Sequence, residues 1–428
     1  MAATFLHDSL AVGVAGSRAP YADDLATLAA SWGAPTGRGC SRLGGRRGAL
    51  SAGGAAFINA YQIHGQEFDC VHEPAVVHPL ATCLAALLAE AERSGPYDGA
   101  RFLTALVVGV DVAAGLGLAA KSPLTFFRPA TAGVFGSVAA LVSLKGLSSG
   151  EGVAAFGYAL AFASGTMQAH LEGLPTLPVQ IAAAARSALE AVEIAELGMP
   201  GPVGSIDGPF GYLSLFEQAS DLGPVLADLA SCRRIVEVSW KPFPTGRAAH
   251  GAIVATKALV SDHGLRAEDL LRLVYRAPPL IRRLVGRPAG PNMTVASARL
   301  CFPYLGAATL LRGGVGLTDF TPARLADPAV LDLAARIDVL EDGNSDPAAF
   351  TPAYAQAETR GGRTLRVDVA AQLGSPHWPL TRRQHLDKAK ACLTFADLQG
   401  AAPALEDLVS SFPAVKDAGA SIMELLAR

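Results

Sequence analysis

The sequence predicts a mainly α protein with an α+β insertion: a large all-helical domain built from both chain ends and a smaller α+β lid domain. Three observations carry this. Ala- and Leu-rich segments broken by Gly, Pro and Ser run from the start to about Gly223. Alternating apolar and polar stretches appear only after Cys232. A helical pattern returns after Pro379. The expected boundaries are 1–231 with 376–428 for the helical domain and 232–375 for the lid.

Taken in order, helices are expected over residues 21–32, 52–62, 78–93, 99–120, 131–145, 149–168 and 178–197, each bounded by a breaker. In the insertion, strands are expected at LLRLVYRAP (270–278), ARIDVLED (335–342), AYAQAETR (353–360) and RTLRVDVA (363–370), the last two joined as a hairpin by Gly361 and Gly362. Helical stretches at 248–263 and 293–312 separate them. Residues 381–428 close the chain as helix.

Half of the 428 residues are hydrophobic, enough for a substantial core. A net charge of −3 and a pI near 6.3 provide no basic face for nucleic acid. The first twenty residues lack the basic and apolar regions of a secretory signal, so a cytoplasmic location is expected. The segment FLTALVVGVDVAAGLGLAA (102–120) is long enough to raise the question of a membrane span. Asp111 at its centre, with Gly109, Gly115 and Gly117 spaced for close helix approach, favours a buried helix of a soluble protein, and no membrane partner is expected. Six scattered cysteines with no CxxC read as reduced thiols packed as small hydrophobes.

The densest chemistry lies in NAYQIHGQEFDCVHEPAVVHP (59–79), where His64, Glu67, Asp69, His72, Glu73 and His78 crowd ahead of an apolar helix. Charged groups at the mouth of an apolar helix suit a small-molecule site, since such groups are rarely buried without use. Three imidazoles and Asp69 also raise a metal site, but the spacing matches no compact zinc signature such as HExxH. Neither a Walker A loop nor a GxGxxG after a strand is present, so no nucleotide cofactor is expected.

Six blocks stand in the order found in the MmgE/PrpD family: AAFINAYQIHGQEFDCVHEPAVVHP, FFRPATAGVFGSVAALVSLKGL, GSIDGPFGYLSLF, SWKPFPTGRAAHGAIVATKAL, ASARLCFPYLGAATLLRGGV and PLTRRQHLDKAKACL. On these blocks the chain is identified as a divergent member of that family, over nearly its whole length. The resemblance implies a cofactor-free, metal-free homodimer with its active site between the helical and lid domains. It implies a lyase, dehydratase or decarboxylase in type, acting by proton abstraction on a small carboxylated substrate. An epimerase or isomerase using the same proton chemistry is the alternative, and a non-catalytic binding or assembly member of the family is a second.

By position, the resemblance implies roles for Asp69, His78, Lys241 and Tyr304 in catalysis. Histidine suits proton transfer because its ordinary pKa lies near neutrality, although a core histidine at a helix start is the other reading of His78. Asp69 could orient His78 or His64, or cap a helix. Lys241, stiffened by Pro242 and Pro244, could hold a carboxylate or exchange a proton. Tyr304 could donate a hydrogen bond or simply pack. Arg247 and His250 lie three apart and so on one helical face within reach of substrate, and His64 is a further binding candidate. Where the family commonly has histidine, this chain has Arg128, expected to clamp a carboxylate with its fork of donors. Where it commonly has lysine and histidine, this chain has Leu177 and Gln180. These departures argue for a substrate with fewer charges and more apolar surface than a tricarboxylate.

Overall fold

The apolar runs fold as helices wherever a breaker and a cap allow. In the computed structural model, which describes residues 1–35, 37–346 and 349–428, the chain begins α1 (Ala2–Gly16), α2 (Ala22–Ser31), α3 (Ala52–Gly65), α4 (Pro79–Ser94) and α5 (Gly99–Ala119). It continues α6 (Arg128–Thr131), α7 (Gly133–Lys145), α8 (Ser149–Phe162), α9 (Gln168–Glu172) and α10 (Thr176–Glu196). Starts follow the capping rules: Ser51 accepts from Gly54 N–H ahead of α3, Asp98 from Arg101 N–H ahead of α5, and Ser148 with Glu151 forms a capping box on α8. Pro79, which has no N–H to leave unpaired, opens α4 directly after His78.

Two compact units result. One comprises Met1–Met167, Thr176–Val238 and His385–Arg428; the other comprises Gln168–Pro175 and Ser239–Gln384. The first is helical and draws on both ends of the chain. The boundaries expected from sequence, after residues 231 and 375, lie before the observed breaks after Val238 and Gln384, and residues 168–175, expected in the helical domain, belong to the second unit.

In the first unit α5 packs on α4 and α7, and α10 lies against α3, α7 and α8. The α5–α7 contact is backbone to backbone. A Cβ at Gly136 would stand 2.6 Å from the Gly109 carbonyl oxygen, and one at Gly109 would meet Gly136 O at 2.8 Å. Of the glycines read from sequence as close-approach positions on α5, Gly109 serves this helix pair, Gly115 faces Val225 and Arg234, and Gly117 faces Ala75. Among the described residues α5 is the one helix long and apolar enough to cross a membrane, and 67% of its most apolar window is buried inside the protein. Asp111, the charge at its centre, accepts from the Arg234 backbone N–H at 3.1 Å and pairs with the Arg234 guanidinium, which also donates to Val225 O at 2.8 Å. That partner makes an interior carboxylate tolerable.

Helix α1 was not among the expected helices, the first of which began at residue 21. In the structure Asp8 is buried and paired with Lys388 at 2.8 Å, so the charge no longer opposes burial of the helix that carries it. Lys388 comes from the helix Arg382–Phe395, the first of three in the C-terminal segment, with Ala402–Ser410 and Ala418–Leu426.

The second unit holds a four-stranded mixed sheet ordered β2-β1-β3-β4, with β1 (Leu270–Ala277), β2 (Ile337–Glu341), β3 (Ala353–Thr359) and β4 (Thr364–Val369). β1 runs parallel to β2 and antiparallel to β3. The β3–β4 hairpin turns through Gly362, whose φ of 77° needs a residue without a Cβ penalty. Helices His250–Ser261 and Phe302–Arg312 pack on this sheet, burying Tyr275, Phe302, Leu305, Ile337 and Ala355 in one core. The single helix expected over 293–312 is two, Val295–Arg299 and Phe302–Arg312. Pro303 lacks the N–H that would continue the first helix and is suited to the opening turn of the second.

All six cysteines are free thiols and five are buried, as their scatter suggested. Burial pushes Cys40, Cys83 and Cys392 up to about 12, which keeps them protonated and inert. His7 and His385 flank the Asp8–Lys388 pair, and burial lowers both below the ordinary histidine value, against the pull of Asp8. A histidine held neutral in the folded state but free to protonate when unfolded stabilises the fold above its unfolded pKa of about 6.5, and that contribution is lost as pH falls below it. The melting temperature should therefore fall between pH 7 and pH 5, and a His7→Gln/His385→Gln variant should show a clearly shallower fall in the same buffers. An unchanged slope would remove these two histidines as the cause.

Candidate active site

The segment between α3 and α4 reverses the chain over a few residues. Glu67 N–H donates to His64 O at 2.8 Å, Glu67 takes a left-handed φ of 51°, and an antiparallel bridge joins His72 to Val77 across a turn in which Val76 has φ 52°. Two left-handed non-glycine residues so close together mark a backbone held by its surroundings. The reversal sets Asp69, fully buried, between two imidazoles. His64 Nδ1 lies 3.2 and 3.1 Å from the two Asp69 carboxylate oxygens, and His78 Nδ1 lies 2.9 Å from Oδ2. The rings meet edge to face with centroids 4.8 Å apart, and Phe127 closes on His64 at 6.2 Å. Glu67 Oε1 stands 3.5 Å from His64 Nε2.

His78 immediately precedes α4, and its side chain is 13% exposed, against 1% for His64. Of the three, it is the one with access to solvent. A carboxylate on Nδ1 selects the tautomer protonated there, keeps the lone pair on Nε2, and favours the imidazolium once a proton arrives. The arrangement is that of a general acid/base held by a buried acid. The ligand-capable atoms of His64, Asp69 and His78 also lie within 4.8 Å of one another, which makes them the residues able to hold a metal ion among those described. Their N···O separations are those of hydrogen bonds.

His72 stands apart from this cluster. Its Nε2 meets Glu237 at 2.9 Å and its Nδ1 accepts from Ala75 N–H at 3.2 Å. The His72 hydrogen bond in turn holds the Glu237 carboxyl below its ordinary range.

The carboxylate that Arg128 clamps in the structure is the protein's own Glu217. Nε donates to Oε1 at 2.8 Å and Nη2 to Oε2 at 3.1 Å, with Ser122 O at 3.2 Å and Ala75 O at 3.4 Å taking further donors. The fork geometry expected of Arg128 is present, and all of it is directed at neighbours within the first unit. Leu177 is buried in the first turn of α10. Gln180, one turn on, accepts from Thr166 N–H at 2.6 Å through its side-chain oxygen.

The remaining candidates lie in the second unit. Lys241 is buried. Arg247 Nη1 donates to Leu373 O at 2.6 Å and to Trp240 O, next to Lys241, at 3.2 Å, and stands 3.4 Å from His250 Nδ1. His250 Nε2 lies 3.3 Å from Thr245 O, and its ring packs on Phe243 at 5.4 Å. The three-residue spacing of Arg247 and His250 does bring the side chains together, although Arg247 sits on a 3-10 turn ahead of the helix. One nitrogen faces a carbonyl and the other a guanidinium. Tyr304 is separate from these groups. Its hydroxyl donates to Asp319 O at 2.7 Å, with Arg324 O at 3.3 Å, and burial pushes it above the ordinary tyrosine value. Its hydroxyl is held by these two carbonyls.

Sequence reasoning did not single out Glu217, Glu237 or Lys388. Glu217 is the first residue after the block ending in Phe216, and an acid closing an apolar run was the available signal. Lys388 lies within another block, three residues after His385 and four before the buried Cys392, so helical spacing placed it on an inward face.

Residues 1–224 match the MmgE/PrpD N-terminal domain and residues 243–406 the MmgE/PrpD C-terminal domain. The chain belongs to the MmgE/PrpD family. It is 31% identical over 356 residues to a cis-aconitate decarboxylase of Homo sapiens, covering 79% of this chain and 72% of that protein. It is 30% identical over 393 residues to the cis-aconitate decarboxylase-like protein oryM of Aspergillus oryzae, covering 86% and 81%. A cis-aconitate decarboxylase of Mus musculus is 28% identical over 356 residues.

Because Arg128 and Glu217 are both nearly inaccessible to solvent, removing one leaves the other as a buried, uncompensated charge. Glu217→Gln should destabilise the protein by about 3–5 kcal/mol, and Arg128→Leu/Glu217→Leu by clearly less. Urea titration of the three proteins checks the order; a single variant as stable as the double would contradict it.

Proposed function

We propose that this chain is a lyase of the dehydratase or decarboxylase type that works without metal or cofactor, moving a proton at the carbon next to a carboxylate. The observation that carries the reading is the Asp69 carboxylate shared by His64 and His78, with His78 the partly exposed member. Family membership and the names of the three relatives support the class of reaction.

His78 is the proton-transfer group and Asp69 its positioning partner. In a dehydration, His78 Nε2 takes the proton from the carbon beside the carboxylate, the electron pair forms the C=C bond, and the hydroxide leaving the next carbon takes that proton back from His78 and departs as water. In a decarboxylation, loss of CO₂ leaves the electron pair on carbon, and protonated His78 delivers the proton that quenches it. His64, buried with its Nδ1 against both oxygens of Asp69, holds the carboxylate in place. With Arg128 neutralised by Glu217 and Leu177 presenting no charge, the substrate we propose is a small carboxylate with fewer charges and more apolar surface than a tricarboxylate.

The test is incubation in D₂O with cis-aconitate and a panel of mono- and dicarboxylates, read by NMR for deuterium entering at carbon and for loss of water or CO₂. Turnover of at least one panel member is expected, unchanged after dialysis against EDTA. His78→Ala should lower kcat/KM by about a hundredfold or more, the range for losing a proton-transfer group. A folded His78→Ala protein with native turnover, or activity abolished by EDTA and restored by a metal, would overturn the mechanism. Lys241→Ala in the same assay reads the buried lysine of the second unit.

A further inference from the structure

Lys388 carries an ammonium into the apolar interior of the first unit, where a charge is costly unless it is answered. Its Nζ lies 2.8 and 3.0 Å from the two Asp8 oxygens, donates to the Phe68 carbonyl oxygen at 2.9 Å, and stands 4.2 Å from the Phe68 ring centroid. The groups around the pair are His7 beside Asp8, His385 one turn before Lys388, Cys70, Cys392 and, farther out, Glu406. Asp8 answers the charge. The remaining contacts of Lys388 fall on Phe68, the residue directly before Asp69.

That position matters because the backbone beside it is strained. Glu67, two residues before Asp69, is in the left-handed region, a conformation that is costly for a non-glycine residue and kept only where neighbours impose it. Two side-chain contacts grip the segment from either side of Glu67. Gln66 Nε2 donates to Ala15 O at the end of α1 at 3.1 Å, and Lys388 takes the Phe68 carbonyl. Asp69 follows at once, its carboxylate within 2.9–3.2 Å of both imidazoles. Hydrogen bonds of this kind weaken steeply with small displacements.

We propose that Lys388, charge-balanced by Asp8, is a positioning residue for the Asp69–His78–His64 cluster: it fixes the Phe68 carbonyl and thereby sets the Asp69 carboxylate against both imidazoles. The proposal rests on the reading of this cluster as the proton-transfer site. Because Asp8 and Lys388 cancel in charge, the effect is geometric, and exchanging the pair for neutral groups of similar size removes the clamp while leaving the local field nearly unchanged.

The experiment is a pH titration by NMR of the protein labelled at histidine Cε1, with the His64 and His78 signals assigned by His64→Gln and His78→Gln. It compares wild type, Asp69→Asn, Asp8→Asn/Lys388→Met and Lys388→Arg, with folding of each followed by circular dichroism and melting. A carboxylate held against an imidazole raises its pKa, so Asp69→Asn should lower the His78 midpoint by about one unit. Asp8→Asn/Lys388→Met should fold, since it buries no unpaired charge, and should lower the His78 midpoint by about half a unit as Asp69 drifts. Lys388→Arg keeps the ion pair but displaces the donor from Phe68 O, and should lower it by a smaller amount. If the double variant does not fold, the Lys388→Arg midpoint decides alone. Folded variants at position 388 with His78 titrating as in wild type overturn the positioning role. Asp69→Asn with both histidines unmoved overturns the site reading instead, so the two failures are distinguishable.

Discussion

The interior of the first unit is built around one constraint: a charge taken out of water must meet its counter-charge, and here the counter-charge comes from far along the chain. Asp8 meets Lys388 across 380 residues, Asp111 meets Arg234 across 123, Arg128 meets Glu217 across 89, and Glu90 meets Lys145 across 55. Breaking any such pair would strand a charge in a medium that cannot solvate it. Each pair is therefore also a long-range tie, and together they set the register of helices whose apolar faces, rich in Ala and Leu, would pack in more than one way.

The Asp69 cluster is the same constraint with one difference that makes chemistry available. Asp69 is as buried as the acids above, but its partners are imidazoles, which gain and lose protons near neutrality, whereas guanidinium and ammonium groups do not. A carboxylate shared by two histidines binds a proton-exchanging group in a fixed orientation, and the partial exposure of His78 gives that group a route outward. Arg128 shows the contrast. Where a histidine would have titrated, its guanidinium remains charged and is matched by Glu217, so the position contributes rigidity and no net charge.

Much of the secondary structure was legible because it depends on local rules. The four strands appear where alternation placed them, the β3–β4 turn falls on its glycine pair, and α4 begins beside Pro79 behind His78. The misses also have physical causes. A helix over 293–312 was expected because apolar spacing ran through Pro303, which the backbone cannot do. Helix α1 went unmarked, and the pairing of its Asp8 with Lys388 is one that no local rule shows. The crowding of residues 59–79 identified the region that holds the cluster, but not its membership: His72, equal to His64 and His78 on paper, turns to Glu237, and Tyr304, a candidate by resemblance, has its hydroxyl on backbone carbonyls.

Sequence by itself determined which residue types occur where, and hence the helices, the strands, the family blocks and a segment too polar for its apolar setting to be idle. Those features follow from periodicity, capping and composition, all of which act over a few residues. Only the tertiary structure decided which acid faces which base, because pairing depends on a three-dimensional approach that linear spacing does not encode over separations of tens or hundreds of residues. The result is that Arg128 holds Glu217, Lys388 holds the carbonyl before Asp69, and Asp69 stands between His64 and His78. Burial then turns each of these proximities into a strong interaction, since the same charges in water would scarcely interact.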